Sequence, residues 1–545
     1  LVRSAAASDV YKRQTRAFTK IKGVLKGTPL DEFSSNLPVL VFDSFGTGLP
    51  GSKTFIDGQM FVLEPDDTGR TLLKGDANLT SRVFFRRRGS STANNPKPNL
   101  RFEIRDELDN DRNVELLGLP SEADWVLYGP YNFDRALVRD PFMHELQRQA
   151  GDYSPRHRFV EVFGDFNGGS LEGSNEYLGV YVLTEQIQIG SDRVDIAELS
   201  PNHNEEPETT GGYIIKVDRS GEGGDTFSTT RGGTFVHVEP AVRDLTKDQK
   251  DYIRKYLRDT ESAIYGSNPT DPVTGYPAFI DVQGWIDENI FRSLAKDPDG
   301  LVLSTYLHKD RQGKLSYGPI WDFDRTMGND ADDRALTPQG WTSGGTNFQQ
   351  HHWWARLFNT SDFAQAWTDR WWELRKNVLT NENFAEIIDS QAAEISEAQA
   401  RNFSRWPSVS PNGGQYSEGL SGWEGEISHL KGWLRERLKW IDSQTVSPVT
   451  IVTSEGLASD TMEVTLTASE DVIYYTLDGS DPRVTGENGG EVSSAAIEYS
   501  GDKIVLDTSV DLFARAFNSE RSRVKINQWS APAQQMLITD AVAAD

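Results

Sequence analysis

The residues best suited to chemistry in this sequence stand in one short stretch, Gly318 to Asn329, which reads Gly-Pro-Ile-Trp-Asp-Phe-Asp-Arg-Thr-Met-Gly-Asn. A short apolar segment ends there in two carboxylates, Asp322 and Asp324, which an arginine and later a glycine follow. Oxygen ligands at the end of a strand suit a hard cation such as Mg²⁺ or Ca²⁺, whereas zinc sites use softer ligands. Because such a cation bridges to phosphate, the stretch predicts phosphoryl transfer as the first chemistry to test.

A second acidic pair, Asp297 and Asp299, precedes this stretch and follows a helix predicted over 281–295. A hairpin predicted over 306–320 would deliver Asp322 to the same sheet edge. In protein kinases a catalytic-loop Asp accepts the substrate hydroxyl proton and a later Asp holds Mg²⁺, so the order Asp299 before Asp322 matches that scheme. The alternative is that Asp297 and Asp299 only form turns, as most Asp-Pro-Asp-Gly sequences do.

Phosphate also needs positive charge or a glycine loop near it. Lys97 lies between two predicted strands, Lys216 ends another, and three arginines occupy 86–88. Solvated strand faces carry such residues too, so both interpretations stay open for each of them. The hexapeptide Gly46 to Gly51 fits the spacing of a nucleotide loop, but another strand-like segment follows it where that loop requires a helix. We therefore predict a turn there.

Composition limits the classes of function. The chain has 545 residues, no cysteine and a net charge of −26, which argues against non-specific nucleic-acid binding and excludes disulfides and Cys-based metal sites. It suits a protein of an extracellular or salty setting. No segment reaches the roughly 18 apolar residues of a membrane span. Residues 1–14 do not have the pattern of a signal peptide. We interpret them as a non-native leader and expect the export signal to be missing from this sequence.

The pattern along the chain predicts three regions. Strands are predicted over 37–43, 82–88, 100–104, 158–163, 177–183 and 211–217, with one helix over 131–150 that Asp134 would cap. Helices then dominate: 247–265, 281–295, 361–378, 381–401 and 422–444, with a strand over 301–307 between them. After Ser447-Pro448 short strands return over 462–467, 472–477, 503–506 and 510–516, which suggests a β-sandwich. The predicted organisation is a linker over 15–36, an α+β two-lobed body over 37–446 that changes from strands to helices near 246, and an all-β domain over 447–545.

Many of these segments together resemble one known family. The residues that carry the resemblance are Arg88-Gly-Ser-Ser-Thr92 with Pro96-Lys97, Leu116-Leu-Gly-Leu-Pro120, Asp124 to Tyr131, Leu137-Val-Arg139, Arg158 to Phe163, Gly179 to Glu185, Arg193 to Ile196, Gly212 to Lys216 and Trp321 to Gly328. In this order they are similar to the spore-coat protein H (CotH) kinase family, over roughly residues 37–441. The resemblance implies an atypical protein-kinase-like fold with a β-rich and a helical lobe. It also implies ATP- and divalent-metal-dependent phosphorylation of secreted or coat proteins.

The resemblance also implies roles for individual residues. Asp299 would be the catalytic Asp, Asp322 the metal-binding Asp and Asp324 its neighbour in the metal site, with Mg²⁺ or Mn²⁺ as the ion. Kinases place a second metal ligand, Asn, five residues after the catalytic Asp, and this sequence has Ser304 there. Lys97 and Lys216 are both candidates for the ATP-contacting lysine, and Glu185 lies near the expected hinge.

The C-terminal region, from Ile473 to Pro482 and from Val510 to Ala516, resembles the C-terminal domain of chitobiase and β-hexosaminidase. That implies an immunoglobulin-like sandwich on a secreted or cell-surface protein, with a surface protein as substrate and polysaccharide as a further partner of the sandwich. The alternative is a non-catalytic surface or adhesion protein that keeps the fold. In that protein the acidic cluster, extended by Asp330, Asp332 and Asp333, would bind Ca²⁺ structurally.

Overall fold

Helix and strand are almost equally represented, at 25% and 27% of the residues, which confirms an α+β chain. The computed structural model describes residues 21–25, 27–173, 175–219, 225–454, 461–469, 472–486, 490–520 and 528–538. The chain divides into two units. Unit 1 contains the chain up to Val194, Asp322–Leu336 and Phe384–Gly432, and unit 2 contains Asp195–Trp321, Thr337–Asn383 and the chain from Trp433. The first boundary thus falls at Val194, whereas the sequence pattern changes from strands to helices near residue 246.

The α-helices of the described residues are α1 (Arg139–Gln149), α2 (Lys247–Ile264), α3 (Val282–Ala295), α4 (Trp353–Leu357), α5 (Ser361–Leu374), α6 (Asn381–Arg405) and α7 (Gly422–Ser443). The five helices predicted after residue 246 are confirmed as α2, α3, α5, α6 and α7. In α2, Thr246 and Gln249 form a reciprocal capping box, and Ile253, Leu257 and Ile264 bury one face at helical spacing. Among the helices described, none combines the length and apolar character needed to cross a membrane.

The start of α1 differs from the prediction. The helix begins at Arg139 rather than at Tyr131, because Leu137 has a φ of 69°, a left-handed conformation that an α-helix cannot contain. Asp134 is not the residue that caps the helix, yet its carboxylate accepts hydrogen bonds from the backbone N–H groups of Leu137 and Arg139, both at 3.0 Å. The same side chain therefore fixes the connection into the helix instead of its first turn.

The strands of unit 1 are β1 (Ile21–Leu25), β2 (Thr28–Pro29), β3 (Ser34–Ser35), β4 (Val39–Asp43), β5 (Ile56–Leu63), β6 (Thr71–Leu72), β7 (Leu79–Arg87), β8 (Leu100–Arg105), β9 (Asp124–Tyr128), β10 (His157–Asp165), β11 (Leu171–Gly173) and β12 (Tyr177–Glu185). Seven of them form a closed sheet in the order β10-β12-β9-β8-β7-β5-β4, in which β4 returns parallel to β10. Its interior is filled by apolar side chains such as Phe42, Phe85, Phe102 and Trp125. The connection from β4 to β5 contains residues 46–51 without helix, as predicted.

The strands of unit 2 are β13 (Tyr213–Val217), β14 (Thr226–Ser228), β15 (Thr234–Glu239), β16 (Thr305–Lys309), β17 (Leu315–Tyr317), β18 (Thr342–Ser343), β19 (Thr346–Asn347), β20 (Thr450–Thr453), β21 (Met462–Thr467), β22 (Val472–Thr476), β23 (Ile497–Glu498), β24 (Ile504–Leu506), β25 (Val510–Phe517) and β26 (Ala533–Leu537). The predicted hairpin is confirmed as β16 and β17, which join the sheet β14-β15-β13-β16-β17. The strand predicted over 301–307 begins only at Thr305. Leu301 and Ser304 have positive φ angles of 67° and 49°, which interrupt an extended chain.

Strands β20 to β26, called here the C-terminal sheets, form a three-stranded sheet β20-β21-β24 and a four-stranded sheet β23-β22-β25-β26. One apolar core contains residues of both sheets, including Val464, Leu466, Leu512 and Ala514. The alternation of buried and exposed residues along β21 follows from the two-residue period of a strand with one buried face.

Two arginines of the C-terminal sheets bind helix α5, within the same unit. Arg515 donates to both carboxylate oxygens of Asp369 at 2.8 and 3.0 Å, and Arg483 donates twice to Asp362 at 2.8 and 2.9 Å. Both arginine side chains are only 4% exposed. Paired hydrogen bonds of this kind fix orientation as well as distance, so these contacts define how the C-terminal sheets pack on α5.

Candidate functional site

The segment Asp322–Leu336, called here the carboxylate loop, holds the two aspartates in an irregular backbone. Asp322 has a φ of 73°, a left-handed conformation that costs energy for most residues and that often marks functional sites. The hydroxyl and N–H of Thr326 both donate to the Phe323 carbonyl, which closes a tight turn around Asp324. The Asn329 side chain donates to the Asp324 carbonyl at 2.9 Å. The loop is thus held by its own short polar side chains.

Asp324 is a buried carboxylate with little compensation. Its side chain accepts no hydrogen bond from the residues that the structure describes, and its cationic neighbour there is Arg325, with Nε 4.0 Å from Oδ1. The pKa of Asp324 is well above its ordinary value, first because the group is buried and then because Asp322 and Asp140 repel its negative charge. A bound cation would offset both the cost of burying the Asp324 charge and its repulsion by Asp322 and Asp140.

Further oxygen groups of unit 1 converge on the same place. The Asp140 carboxylate in the first turn of α1 accepts a hydrogen bond from the Phe323 N–H. The Tyr128 hydroxyl, at the end of β9, is buried and has no hydrogen-bond partner among the residues that the structure describes. Burial raises the pKa of Tyr128, and the nearby charges of Asp324 and Asp140 raise it further. A hydroxyl in this position lacks an acceptor or a metal-bound water, which a ligand in the site would supply.

Asp134 completes the acidic group, but its charge is already neutralised. Arg139 Nη1 lies 3.0 Å from Asp134 Oδ1, and both side chains are fully buried. The Arg139 Nε also donates to the Thr326 carbonyl at 3.2 Å, so the ion pair holds the carboxylate loop against the start of α1. We therefore assign Asp134 and Arg139 to positioning the loop.

The donor set fits a hard divalent cation. Asp322, Asp324, Asp140 and Tyr128 offer oxygen atoms alone, which is the chemistry that Mg²⁺, Mn²⁺ and Ca²⁺ prefer. Across the described part of the chain, no three His, Cys, Asp or Glu side chains are arranged to hold a metal ion together. Mg²⁺ is commonly bound by one or two carboxylates while waters and substrate phosphates fill the other positions. The pair Asp322 and Asp324 matches that mode of binding.

Lys97 and Glu185, both predicted to contact ATP, lie in unit 1 and are engaged within the protein. The Lys97 ammonium donates to the Pro130 carbonyl at 2.8 Å, the Val180 carbonyl at 2.5 Å and Asn402 Oδ1 at 2.9 Å. Three acceptors use all the donors that an ammonium has. Lys97 is 1% exposed, and burial holds its pKa well below the ordinary value. In this arrangement it has no donor left for a phosphate.

Glu185 lies at the end of β12 and is completely buried. Its carboxylate accepts from the Tyr153 hydroxyl at 3.1 Å and from Arg156 Nε at 2.9 Å, and Arg193 Nη1 lies 3.0 Å away. Two arginines therefore neutralise it. The network is of the kind that holds a fold together, and the roles of Glu185 and Lys97 toward ATP stay predictions.

The other predicted site residues, Asp299, Ser304 and Lys216, belong to unit 2. Asp299 follows α3, partly exposed, and its N–H donates to Asp297 Oδ1 at 3.0 Å. Ser304 ends the same connection, and its carbonyl accepts from Arg292 at 3.4 Å. Lys216 Nζ lies 2.5 Å from Asp218 Oδ2. Their roles as catalytic base, metal ligand and phosphate contact also stay predictions.

Asp297 and Asp299 have different surroundings in the structure, which the sequence pattern did not distinguish. It is buried in an ion pair with Arg292, which Glu288 also contacts at 2.8 Å. Burial raises the pKa of Asp297. Since Asp297 accepts the Asp299 N–H, it positions the connection in which Asp299 stands.

Asp140 and Tyr128 are the residues near the aspartate pair that sequence reasoning missed. The signal for Asp140 is present, because it directly follows the Leu137-Val-Arg139 segment that carries part of the resemblance. Tyr128 is the last residue of an apolar strand, where the sequence gives no reason to separate a tyrosine from the residues of the core. Only the packing shows that its hydroxyl faces the carboxylates.

The fold and the site define an α+β protein with an aspartate pair, Asp324 buried and Asp322 partly exposed, whose oxygen atoms suit a hard cation. Residues 85–441 match the family model described as CotH kinase protein. Because this match covers more than half of the chain, the protein belongs to the CotH kinase family. No curated protein matches the sequence.

Proposed function

We propose that this protein is a divalent-cation-dependent protein kinase that transfers the γ-phosphoryl group of ATP to a Ser or Thr hydroxyl. The observation that supports this most is Asp324, a buried carboxylate that accepts no hydrogen bond from the described residues and whose pKa is raised by burial and by Asp322. Such a group is costly in a folded protein unless a ligand neutralises it. Membership of the CotH kinase family supports phosphate transfer as the use of that ligand.

In the proposed mechanism, Asp322 and Asp324 are the residues that would hold Mg²⁺ or Mn²⁺, which when bound would supply positive charge to the phosphates. The Asp134–Arg139 pair and Asp140 keep the carboxylate loop in place. The resemblance to the CotH kinase family gives Asp299 the role of the base, which would take the proton of the substrate hydroxyl as that oxygen attacks the γ-phosphorus. The bond from that phosphorus to the bridging oxygen breaks, and ADP leaves with the bond's electron pair.

The kinase-like arrangement of a β-rich and a helical lobe belongs to this proposal. So do the identification of the C-terminal sheets as a chitobiase-type sandwich that contacts polysaccharide, and secretion with a surface protein as substrate. The charge of −26 supports an extracellular setting. The resemblance of the C-terminal sequence supports the accessory role.

The test compares wild type with Asp322→Asn and with Asp333→Asn, an exposed aspartate of the same loop. Isothermal titration measures Mn²⁺ alone and then ATP in the presence of Mn²⁺. We expect both to bind to wild type and to Asp333→Asn, and neither to Asp322→Asn. Incubation with radiolabelled ATP and casein then tests transfer, which Asp299→Asn should abolish while it leaves ATP binding intact.

A wild-type protein that binds neither Mn²⁺ nor ATP would refute the proposal. The alternative is the non-catalytic surface protein with structural Ca²⁺, which Ser304 at the second ligand position favours. Tight Ca²⁺ binding that Asp322→Asn removes, without ATP binding in Mn²⁺, would establish that alternative.

A further inference from the structure

Tyr128 carries a buried polar group near the aspartate pair whose hydrogen bonding is incomplete. Its hydroxyl oxygen is buried, and neither a donor nor an acceptor for it lies among the residues that the structure describes. A hydroxyl buried in this way gives up its bonds to water without replacement, which destabilises the folded state. Phenylalanine would fill the same space without this cost. The hydroxyl therefore calls for a ligand or a bound water that completes its hydrogen bonding.

The place of Tyr128 on its strand directs the side chain away from the interior of the closed sheet. Trp125 and Leu127 of β9 belong to the apolar core inside that sheet. Successive side chains of a strand point to opposite faces, so Tyr128 shares the outer face with Val126. Its hydroxyl is thus not directed into the apolar core of the sheet.

The segment that begins at Tyr128 leads into α1 and is bound to the carboxylate loop. The Arg139 Nε donates to the Thr326 carbonyl at 3.2 Å, and the Asp140 carboxylate accepts from the Phe323 N–H at 2.5 Å. These contacts hold the loop, with its two aspartates, beside the segment between the end of β9 and the first turn of α1. The Tyr128 hydroxyl and the carboxylates therefore belong to one site in unit 1.

The charges of this site keep the proton on the Tyr128 hydroxyl. Burial holds the pKa of Tyr128 well above its ordinary value, and the negative charge of Asp324 raises it further. The group that Tyr128 presents to the site is therefore an O–H donor. A direct bond from its oxygen to a cation would leave this proton without an acceptor. A water molecule held by the cation would accept it.

The cations that suit the aspartate pair differ in how firmly they keep water. Mg²⁺ loses its waters reluctantly and usually keeps several of them beside one or two carboxylates. Mn²⁺ also suits carboxylate and water ligands in octahedral geometry. Ca²⁺ is larger and takes more oxygen ligands in a flexible arrangement. A hydrogen bond to a water of the ion therefore favours an ion that keeps its waters.

We propose that Tyr128 donates a hydrogen bond to a water molecule held by the cation at Asp322 and Asp324, and that this bond makes the site select Mg²⁺ and Mn²⁺ over Ca²⁺. The inference rests on the proposed function, because it concerns the same cation site and adds the residue that sets its preference. Tyr128 is a positioning residue, since it acts on the ion through the water that it holds in place.

The experiment titrates Mg²⁺, Mn²⁺ and Ca²⁺ separately into wild type, Tyr128→Phe and Tyr181→Phe by isothermal titration. We expect Tyr128→Phe to weaken Mg²⁺ and Mn²⁺ binding about 10-fold, as loss of an outer partner of a metal site does, and to change Ca²⁺ binding less than about threefold. Without metal, the melting temperature of Tyr128→Phe should equal or exceed that of wild type, because an unsatisfied hydroxyl has been removed.

Tyr181→Phe is the matched control from the same closed sheet. Tyr181 is also completely buried, but its hydroxyl donates to the Pro98 carbonyl at 2.9 Å. Its loss leaves that carbonyl without this bond, so the melting temperature should fall. The affinities for the three ions should stay within about twofold of wild type, since Tyr181 has no part in the proposed contact.

Mg²⁺ and Mn²⁺ affinities of Tyr128→Phe that equal those of wild type would overturn the inference. An equal loss for all three ions with a lower melting temperature would also overturn it, because Tyr128 would then only support the fold. A larger loss for Ca²⁺ than for Mg²⁺ would identify the hydroxyl as a direct ligand and would contradict the proposed contact. Failure of the proposed function differs from all of these, because wild type itself would then bind neither Mg²⁺ nor Mn²⁺.

Discussion

Replacement of Arg515 by methionine tests how the C-terminal sheets are attached to helix α5. All five N–H donors of this guanidinium are used. Four bind the carboxylates of Asp369 and Asp481 in two forks of 2.8 to 3.0 Å, and Nη1 also donates to the Ser530 carbonyl at 2.7 Å. Methionine keeps most of the side-chain volume and removes every donor.

The expected loss follows from what remains after the substitution. Removal of one partner of a buried ion pair costs about 3–5 kcal/mol. Arg515 is 4% exposed, but Asp369 and Asp481 are 28% and 24% exposed, so water replaces part of the lost bonding. We therefore expect a loss of about 2–4 kcal/mol in the free energy of opening of the C-terminal sheets. Arg515→Lys should lose nearly as much, because an ammonium cannot make two forks.

Hydrogen exchange of the amides in β22 and β25 measures this free energy locally, without the assumption that the whole chain unfolds in one step. Lys503→Met is the control, since Lys503 is 64% exposed in its pair with Glu463 and an exposed ion pair contributes little to stability. A double-mutant cycle that combines Arg515→Met with Asp369→Asn should show a coupling energy between the two residues of at least about 1 kcal/mol. Amide protection in β25 that stays within about 1 kcal/mol of wild type in Arg515→Met would refute the reasoning.

Three further predictions concern buried charges. His237 is 6% exposed and burial lowers its pKa to about 4, so the unfolded chain takes up a proton near pH 6.5 before the folded chain does, and stability falls between pH 6.5 and 4. His237→Phe should remove about 2 kcal/mol of the loss in the free energy of unfolding between pH 7 and 5, as measured by urea unfolding at each pH. A pH dependence of stability equal to that of wild type would contradict this assignment. Asp324→Asn should raise the melting temperature measured without metal, and Mn²⁺ should no longer stabilise the variant. In wild type, Mn²⁺ at 100 times its Kd should stabilise the folded state by about 2.7 kcal/mol. A variant that Mn²⁺ still stabilises would exclude Asp324 as a ligand. Arg139→Met leaves the Asp134 carboxylate buried and unpaired and should cost about 3–5 kcal/mol in urea unfolding, whereas a loss below about 1 kcal/mol would show that water reaches Asp134.

The elements that sequence predicted well are those with strong local signals. Helix α2, predicted over 247–265, spans Lys247–Ile264, and strands β8 and β21 also lie where they were predicted. The errors fall where single residues adopt positive φ. Leu137 delays the start of α1, and Leu301 and Ser304 delay β16. Leucine is among the residues least expected in that conformation, so no local pattern signals it.

The candidate site divides in a similar way. Asp322 and Asp324 could be chosen as candidates from the sequence because acidic residues at the end of an apolar segment suggest a cation site by themselves. The hydrogen-bond partners of Lys97 and Glu185 could not be predicted, because Asn402, Arg156 and the other partners are distant from them in sequence. Whether a charged side chain faces a ligand or a carbonyl is decided by packing, which the spacing of residues does not contain.

The sequence segments that make up unit 1 are synthesised at widely separated times during translation. All strands of its closed sheet have been made by Val194, whereas the carboxylate loop ends at Leu336 and the last segment ends at Gly432, 238 positions after Val194. At about 5–20 residues per second, translation of this interval takes roughly 12–50 s. During the first part of that interval, until Asp324 has been made, a nascent chain has these strands without its aspartate pair. A polypeptide that terminates before residue 322 therefore lacks the aspartate pair, and the candidate site is complete only after the carboxylate loop has been synthesised.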